Sequence, residues 1–314
     1  MNTLSPNSLG ATLYMPATRH DIVDVVLNNK IPGLRSLVIC LEDAVSEIDV
    51  PLALRNLHPI TDRLASAGYH SAQPVVFIRP RDADMGDYLT QHYNLKGIAG
   101  LVLPKFTHAS LARWERILSG SHLYWMPTLE TEEVFDVVQM RELALALSEH
   151  ACRDRILALR IGGNDLMNIL ALRRSRDSTL YDGPMGYVIK MLVSVFGARN
   201  FSLTAPVCEL IDNPSMLEKE LRQDIEHGMV GKTAIHPCQI APIHQALMVS
   251  QTDHQDALRI MNSNQAVFKH NGAMCEPATH KRWANSIMLR SQFFGVSPSV
   301  GQVSGKTLLL GSNQ

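Results

Sequence analysis

The sequence lacks long apolar segments and an excess of charge of either sign. No apolar run approaches the roughly 18 residues that a membrane-spanning helix needs, and the N-terminus shows no basic segment followed by an apolar core, as a signal peptide would. Its 29 basic and 30 acidic residues give a net charge of -1, so there is neither a basic surface for nucleic acid nor an acidic tail. We therefore expect a cytoplasmic protein that binds neither nucleic acid nor membranes.

Cysteines are few and far apart. The chain has Cys40, Cys152, Cys208, Cys238 and Cys275, with no C-x-x-C motif among them. This spacing is not typical of a disulfide framework or a zinc site. It indicates reduced thiols in a cytoplasmic protein, mostly buried as small apolar side chains.

Eight short β-rich segments alternate with segments of helical spacing. These eight are apolar almost throughout, which is typical of strands buried on both faces of a parallel sheet. The predicted strands are residues 11–17, 36–43, 74–80, 100–105, 123–130, 156–163, 201–207 and 232–237. The predicted helices between and after them are residues 21–27, 51–65, 84–93, 110–118, 132–147, 185–196, 216–227 and 238–249.

A strand–helix repeat of this kind predicts an α/β fold, namely a (β/α)8 TIM barrel. An open doubly wound sheet is the alternative, but it usually has fewer strands and a glycine-rich first turn, and no G-x-G-x-x-G motif follows the first strand. A chain of 314 residues, 46% hydrophobic, can form one large domain or two ordinary ones. We expect the barrel over residues 1–250 and a C-terminal helical extension over 251–314, with a helix at 280–294.

Charged side chains stand at the predicted C-terminal ends of the strands, where TIM barrels carry their active sites. They are Glu42, Asp43, Arg79, Lys105, Glu130 and Asp165. Strand ends that face an inert layer of loops need no particular charges. Groups of both signs on one rim therefore predict a functional site there.

The carboxylates in this set suit a hard cation. Magnesium takes one or two carboxylates, keeps several waters and completes its shell with substrate oxygens. Glu130 and Asp165, on neighbouring strands, can supply two ligands, although either acid can instead belong to the first turn of a helix. Arg79 can hold a substrate carboxylate through two parallel hydrogen bonds, or it can pair with Glu42 or Asp43.

Seven segments occur in the order found in a known enzyme family. They are LYMPATR, CLEDAVSEIDVPLALRNL, FIRPR, LVLPKFTHA, TLETEEV, IGGNDLMN and GKTAIHPCQI. The last fits the pattern G-K-x-x-I-H-P-x-Q-I fully, and the segments span nearly the whole chain. The chain resembles the citrate lyase beta-subunit-like branch of the HpcH/HpaI aldolase superfamily. This resemblance implies a magnesium-dependent C–C bond lyase on a TIM barrel.

The resemblance also implies roles for individual residues. Glu130 and Asp165 would ligate magnesium directly. Glu42 and Asp43 would lie near the metal, with at least one of them acting through water. Arg79 would hold the carboxylate or carbonyl of the substrate.

Three further residues receive roles by the same resemblance. Lys105 would assist the catalytic groups from beside the metal ligands. In some relatives an acid in a C-terminal M-x-D-x-P segment of a neighbouring subunit acts as the base. In this chain the segment MCEP has Glu276 at the position of that aspartate. The glutamate side chain is one methylene longer than aspartate, and the proline comes one residue early. Glu276 and Asp43 are therefore both candidates for the base. Arg19, after the first strand, is the candidate contact for coenzyme A, next to a helix N-terminus that could receive phosphate.

The resulting hypothesis is retro-Claisen or aldol-type cleavage or condensation of a hydroxy-acyl thioester or a hydroxy or keto acid. Mg2+ and Arg79 would stabilise the enolate. The family implies a homo-oligomer, a trimer or a hexamer. Two other classes stay open, namely a non-catalytic metal- and carboxylate-binding scaffold or sensor, and a thioesterase or hydrolase on the same barrel. The sequence names neither the substrate nor whether coenzyme A is used.

Overall fold

The computed structural model describes residues 4–68 and 73–298, which form two compact units divided between Ala246 and Leu247. The strands of the first unit are β1 (Gly10–Pro16), β2 (Ser36–Cys40), β3 (Val75–Arg79), β4 (Gly100–Leu103), β5 (Tyr124–Leu129), β6 (Leu159–Ile161), β7 (Leu203–Thr204) and β8 (Gly231–Ala234). Its helices are α1 (Ile22–Leu27), α2 (Val50–Ala67), α3 (Ala83–His92), α4 (Leu111–Leu118), α5 (Val137–Glu149), α6 (Gly163–Ile169), α7 (Pro184–Gly197) and α8 (Pro214–Glu226), and α9 (Ile240–Leu247) follows at the division.

The eight strands are parallel and pair in the order β7-β6-β5-β4-β3-β2-β1-β8. Ala205, just after β7, joins the two ends of this sheet. Its N–H donates to the carbonyl of Gly231 (2.8 Å), and its carbonyl accepts from Thr233 (3.3 Å). The sheet thus forms a nearly closed barrel, which confirms the predicted TIM-barrel fold.

The apolar strand residues fill the barrel, as the sequence pattern predicts. Val38, Phe77, Val102 and Met126, from four successive strands, form one buried cluster with Leu9. β2 and β3 are buried at every position, because helices cover the outside of a parallel barrel while the inside is packed with side chains. This core leaves the C-terminal strand ends free to carry polar groups.

Some predicted local features are wrong. α6 was not predicted, because a helix of seven residues that begins at Gly163 has no apolar stripe long enough to recognise. Residues 132–147 were predicted as one helix, but Glu132–Phe135 is a 3-10 turn and Asp136 caps the start of α5. α1 begins at Ile22, one residue later than predicted, and Asp21 directly precedes it.

The second unit contains α10 (Gln251–Asn262), the antiparallel strands β9 (Phe268–His270) and β10 (Ala273–Cys275), and α11 (Pro277–Phe294). Asn271 and Gly272 join the strands with positive φ values of 46° and 82°, the conformation that a tight hairpin turn requires. The expected C-terminal helix begins earlier than predicted, and α10 was not predicted because its sequence is largely polar. A lid role for this unit and its contact with a neighbouring subunit stay predictions.

Among the described residues, no helix has both the length and the apolar composition needed to cross a membrane. The cytoplasmic location and the homo-oligomer inferred from the sequence stay predictions.

Candidate active site

A cavity of about 260 Å³ opens at the C-terminal ends of the barrel strands. Its wall includes Asp43, Arg79, Glu130 and Asp165. Each follows or ends a different strand, so residues far apart in the sequence meet because parallel strands end on the same side of the barrel. Four of the six charged residues predicted for the rim therefore line one cavity.

Glu130 lies deepest in this charged set. Its side chain is 2% exposed, and its Oε1 accepts a 2.8 Å hydrogen bond from the backbone N–H of Lys105 and lies 3.1 Å from Nη2 of Arg79. Burial is the largest influence and raises the pKa of Glu130 to about 7, although Arg79 opposes the shift. An additional cation beside Glu130 would favour its ionised form.

Arg79 is buried and surrounded by carboxylates. Its Nη2 lies 2.6 Å from Oε2 of Glu42, 3.2 Å from Oδ2 of Asp43 and 3.1 Å from Oε1 of Glu130. Burial alone disfavours the charge, but the neighbouring carboxylates outweigh it and raise the pKa of Arg79. Of the two roles that the sequence allowed, the structure shows the ion pairing. Anchoring of substrate by Arg79 stays a prediction.

Glu42 and Asp43 behave as a coupled pair at the end of β2. Glu42 is 4% exposed and accepts hydrogen bonds from Nζ of Lys105 (2.6 Å) and the backbone N–H of Asp43 (3.0 Å). Burial acts to raise the pKa of Glu42, but its hydrogen bonds and Arg79 together lower it. Partial burial and the neighbouring Glu42 raise the pKa of Asp43. Asp43 is thus the more readily protonated acid, and its side chain is largely exposed.

Lys105 and Asp165 complete the cluster. Nζ of Lys105 lies 3.9 Å from Oδ1 of Asp165. Asp165 belongs to the first turn of α6, as the helix-terminus alternative for this acid predicts, and it also lines the cavity. The two roles are compatible, because the N-terminus of α6 starts at the rim.

The two remaining predicted site residues, Arg19 and Glu276, each make local contacts. Arg19 is not among the cavity-lining residues; its guanidinium donates two 2.8 Å hydrogen bonds to Asp21, which also accepts from Lys30. Asp21 stands immediately before α1, where an acid would repel a phosphate. The role of Arg19 as a coenzyme A contact stays a prediction. Glu276 belongs to the second unit and accepts from Thr279 there, and its role as a base stays a prediction.

The sequence reasoning missed residues that shape this site. Arg81 donates from Nη1 to the backbone carbonyls of Leu41, Glu42 and Val45 at 3.0–3.4 Å and so holds the loop after β2. Gly162 lies so close to Glu130 that a Cβ at position 162 would overlap the Glu130 side chain. The available sequence signals were the charged residue after Pro80 and the two adjacent glycines, Gly162 and Gly163.

Arg160 was missed as well, although its sequence signal is strong. It interrupts the apolar strand ILALRIGG and is 2% exposed inside the barrel, where it lines the same cavity. A charged residue in the middle of a buried strand is uncommon without a partner or a function. Arg160 lies within its strand and not at the strand end, and for this reason it was not predicted as a site residue.

The donor chemistry of the cluster fits magnesium. Within the described part of the chain, no group of three or more His, Cys, Asp or Glu side chains forms a preorganised metal site. Glu130 and Asp165 instead offer two carboxylates on one cavity wall, and magnesium takes one or two carboxylates together with waters and substrate oxygens. The cluster's acids outnumber its cations, so a divalent cation would reduce the excess of negative charge.

Comparison with known proteins identifies the family. A family model for C–C bond lyases of the TIM-barrel fold matches residues 3–296. The chain belongs to this C–C bond lyase family. No curated protein matches it.

Several solved structures share the fold of this chain. CitE from Mycobacterium tuberculosis in complex with magnesium, acetoacetate and coenzyme A has a TM-score of 0.63 at 21% identity, with 91% of this chain and 99% of that chain covered. A citrate lyase from Burkholderia xenovorans has a TM-score of 0.65 at 15% identity, covering 95% and 98% of the two chains. RipC from Yersinia pestis has a TM-score of 0.58 at 18% identity, with 77% of this chain and 96% of that chain covered. The predicted likeness to citrate lyase beta subunits is thus confirmed in the fold, and the family model confirms the predicted C–C bond lyase family.

Proposed function

We propose that this member of the C–C bond lyase family cleaves or forms a carbon–carbon bond next to a carbonyl group, in a magnesium-dependent reaction. The substrate is a hydroxy-acyl thioester or a hydroxy or keto acid. The observation that carries the proposal is the joint presence of Glu130, Asp165 and Arg79 on one cavity wall at the C-terminal ends of the strands. Glu130 and Asp165 would hold the metal ion.

Magnesium, when bound, supplies a positive charge that polarises a carbonyl and stabilises a developing enolate oxygen. The chain supplies the rest of the electrostatic environment. Arg79 is fixed by three carboxylates and presents a permanent positive charge at the cavity. A charge that is already in place when negative charge develops on the substrate lowers the barrier without reorganisation.

Proton transfer requires a group near the cavity that can change its charge. Asp43 lines the cavity, its side chain is exposed, and its pKa is raised by partial burial and by Glu42. A base with a pKa closer to the working pH is more effective. We therefore assign the base to Asp43, with Glu276 from a neighbouring subunit as the alternative.

The ligands of a related structure support this proposal. The CitE structure from Mycobacterium tuberculosis contains magnesium, acetoacetate and coenzyme A, and another structure of that citrate lyase beta subunit contains oxaloacetate and magnesium. These are small carboxylates and a thioester-forming cofactor, which belong to the substrate classes of the proposed reaction. Whether the present chain uses coenzyme A is decided by titration of coenzyme A and acetyl-coenzyme A.

Isothermal titration with magnesium tests the metal assignment. Glu130→Gln and Asp165→Asn remove one carboxylate charge each with little change of shape, and each should weaken magnesium binding by about tenfold or more. Glu142→Gln, an exposed acid on α5, is the control and should bind as the wild type does. Unchanged affinity in both site variants would refute the assignment.

Turnover is tested separately on a panel of hydroxy-acyl thioesters and free hydroxy and keto acids, with and without magnesium. Magnesium-dependent formation of an acid and a carbonyl product supports the lyase. Thioester hydrolysis alone would favour the hydrolase alternative. Tight binding of magnesium and carboxylates without any turnover would favour the scaffold or sensor.

A further inference from the structure

Arg160 is a buried cation inside the barrel. It lies on β6, is 2% exposed and lines the candidate cavity. Its Nη2 donates to Oγ1 of Thr233 (2.6 Å), its Nη1 lies 3.9 Å from Sδ of Met126, and its guanidinium lies 5.3 Å from the ring centre of Tyr14. In residues 4–68 and 73–298, no acidic side chain lies within ion-pair distance of it.

The two residues beside Arg160 in the sheet are threonines with unsatisfied hydroxyl groups. Thr128 of β5 and Thr204 of β7 are its register partners on the two sides. The Oγ1 atoms of both threonines are buried and find no hydrogen-bond partner among the described residues. Buried polar atoms in proteins are nearly always hydrogen-bonded, and Thr128 lines the cavity together with Arg160. This end of the cavity thus has hydrogen-bonding capacity that the chain itself does not use.

The two arginines of the cavity differ in their direct ion pairs. Arg79 is paired with Glu42, Asp43 and Glu130. Among the described residues no acid lies within ion-pair distance of Arg160, although Glu130 favours its charge from further away. A guanidinium stays protonated in proteins, even though burial lowers the pKa of Arg160. A buried charge without a counter-charge is unfavourable, so an anion gains more from Arg160 than from Arg79.

We propose that Arg160 binds a carboxylate of the substrate, with the hydroxyl group of Thr128 donating a further hydrogen bond. The inference rests on the proposed lyase function and narrows its substrate class. The substrate is a short acid whose free carboxylate lies at Arg160 while its reacting carbonyl or hydroxyl group faces Glu130 and Asp165. Arg160 is then a specificity-determining residue, and Arg79 serves the reacting end.

The charge of the ligand provides the first test. Acetoacetate and oxaloacetate are titrated into the full chain beside methyl acetoacetate, which lacks the free carboxylate, with and without magnesium. The wild type should bind at least one of the free acids about tenfold or more tightly than the methyl ester. Arg160→Met should abolish this preference and keep the wild-type affinity for magnesium. Arg155→Met is the matched control, because Arg155 lies over the ring of Tyr124 (4.9 Å) but does not line the cavity, and it should retain the preference.

Thr128→Val gives a second test that does not depend on the folding of an arginine variant. It replaces a buried hydroxyl without a partner by a methyl group of similar shape, so the fold should be as stable as the wild type or more stable. Binding of the free acid should nevertheless weaken several-fold, by about the loss of one hydrogen bond to a charged group. A purely structural role for this pair of residues would leave ligand affinity unchanged.

The outcomes separate the two proposals. Loss of acid binding in Arg160→Met and Thr128→Val, with magnesium binding intact, supports the role of Arg160. Three results would overturn the role of Arg160. The first is equal acid affinity in Thr128→Val and the wild type, and the second is a wild type without preference for free acids. The third is a preference that survives in a folded Arg160→Met variant. Absence of magnesium binding or turnover in the wild type would instead refute the proposed function, since the acid preference is also measured without the metal.

Discussion

The backbone N–H of Lys105 donates a 2.8 Å hydrogen bond to Oε1 of Glu130. Lys105 does so with a positive φ of 47°, a conformation that residues other than glycine seldom adopt. From the same turn, its Nζ reaches Glu42 at 2.6 Å. One strained residue at the end of β4 thus orients two carboxylates of the candidate site.

This relationship predicts a difference between two substitutions of Lys105. Lys105→Ala and Lys105→Gly both remove the contact with Glu42 and both keep the N–H that binds Glu130. Only glycine relieves the left-handed strain, so Lys105→Gly should be more stable than Lys105→Ala by about 1 kcal/mol. Urea denaturation of the two variants checks this. Equal free energies of unfolding would show that the φ value carries no strain.

Gly162 leaves room for Glu130. A Cβ at position 162 would overlap the Glu130 side chain, so Gly162→Ala should displace this carboxylate and weaken magnesium binding by about 10- to 100-fold. Gly197→Ala, where a Cβ meets nothing within 4 Å, should bind magnesium normally. Wild-type affinity in Gly162→Ala would mean either that Glu130 tolerates displacement or that it does not ligate the metal.

Glu220, Arg174 and Lys232 form a buried network of charged side chains. Glu220 pairs with Nη1 of Arg174 and lies 3.5 Å from Nζ of Lys232, and all three side chains are at most 2% exposed. Glu220→Ala leaves buried cations without this partner and should lower the free energy of unfolding by about 3–5 kcal/mol. Glu218→Ala, exposed on the same helix, should change it by less than about 0.5 kcal/mol. Chemical denaturation measures both, and a comparably small loss in the two variants would contradict the prediction.

His244 predicts a pH dependence of stability. Its Nε2 accepts a 3.0 Å hydrogen bond from the N–H of Ala11, and burial lowers its pKa from 6.5 to about 4. His244 therefore binds a proton more readily in the unfolded chain than in the folded one. The stability that neutral His244 contributes is complete above pH 6.5 and is lost as the pH falls towards 4. Between about pH 8 and about pH 5 the expected loss is about 2 kcal/mol.

His244→Gln isolates this contribution, since a glutamine oxygen can accept the same hydrogen bond but does not titrate. Urea denaturation at the two pH values should show a smaller pH dependence in the variant than in the wild type, by about 2 kcal/mol. An identical pH dependence in the two proteins would show that His244 does not titrate abnormally.

The sequence predicted the barrel because its strands are buried on both faces and therefore read as apolar runs. It placed Glu42, Arg79 and Glu130 at strand ends for the same reason. Helices with little apolar periodicity were missed. α10, for example, begins where the side chain of Ser250 accepts from the N–H of Asp253 and packs through Ala257 and Ile260, a pattern too sparse to stand out in a polar segment.

The sequence by itself determined which residue types reach the cavity, because strand order and strand ends follow from local apolar patterns. The tertiary structure alone decided how they pair. Arg79 was equally able to meet a substrate or an acid, and closure of the barrel placed three carboxylates around it. Closure also placed Arg160 between two threonines, Thr128 and Thr204, which are its register neighbours. Such pairing depends on distances across the barrel, which no local pattern encodes.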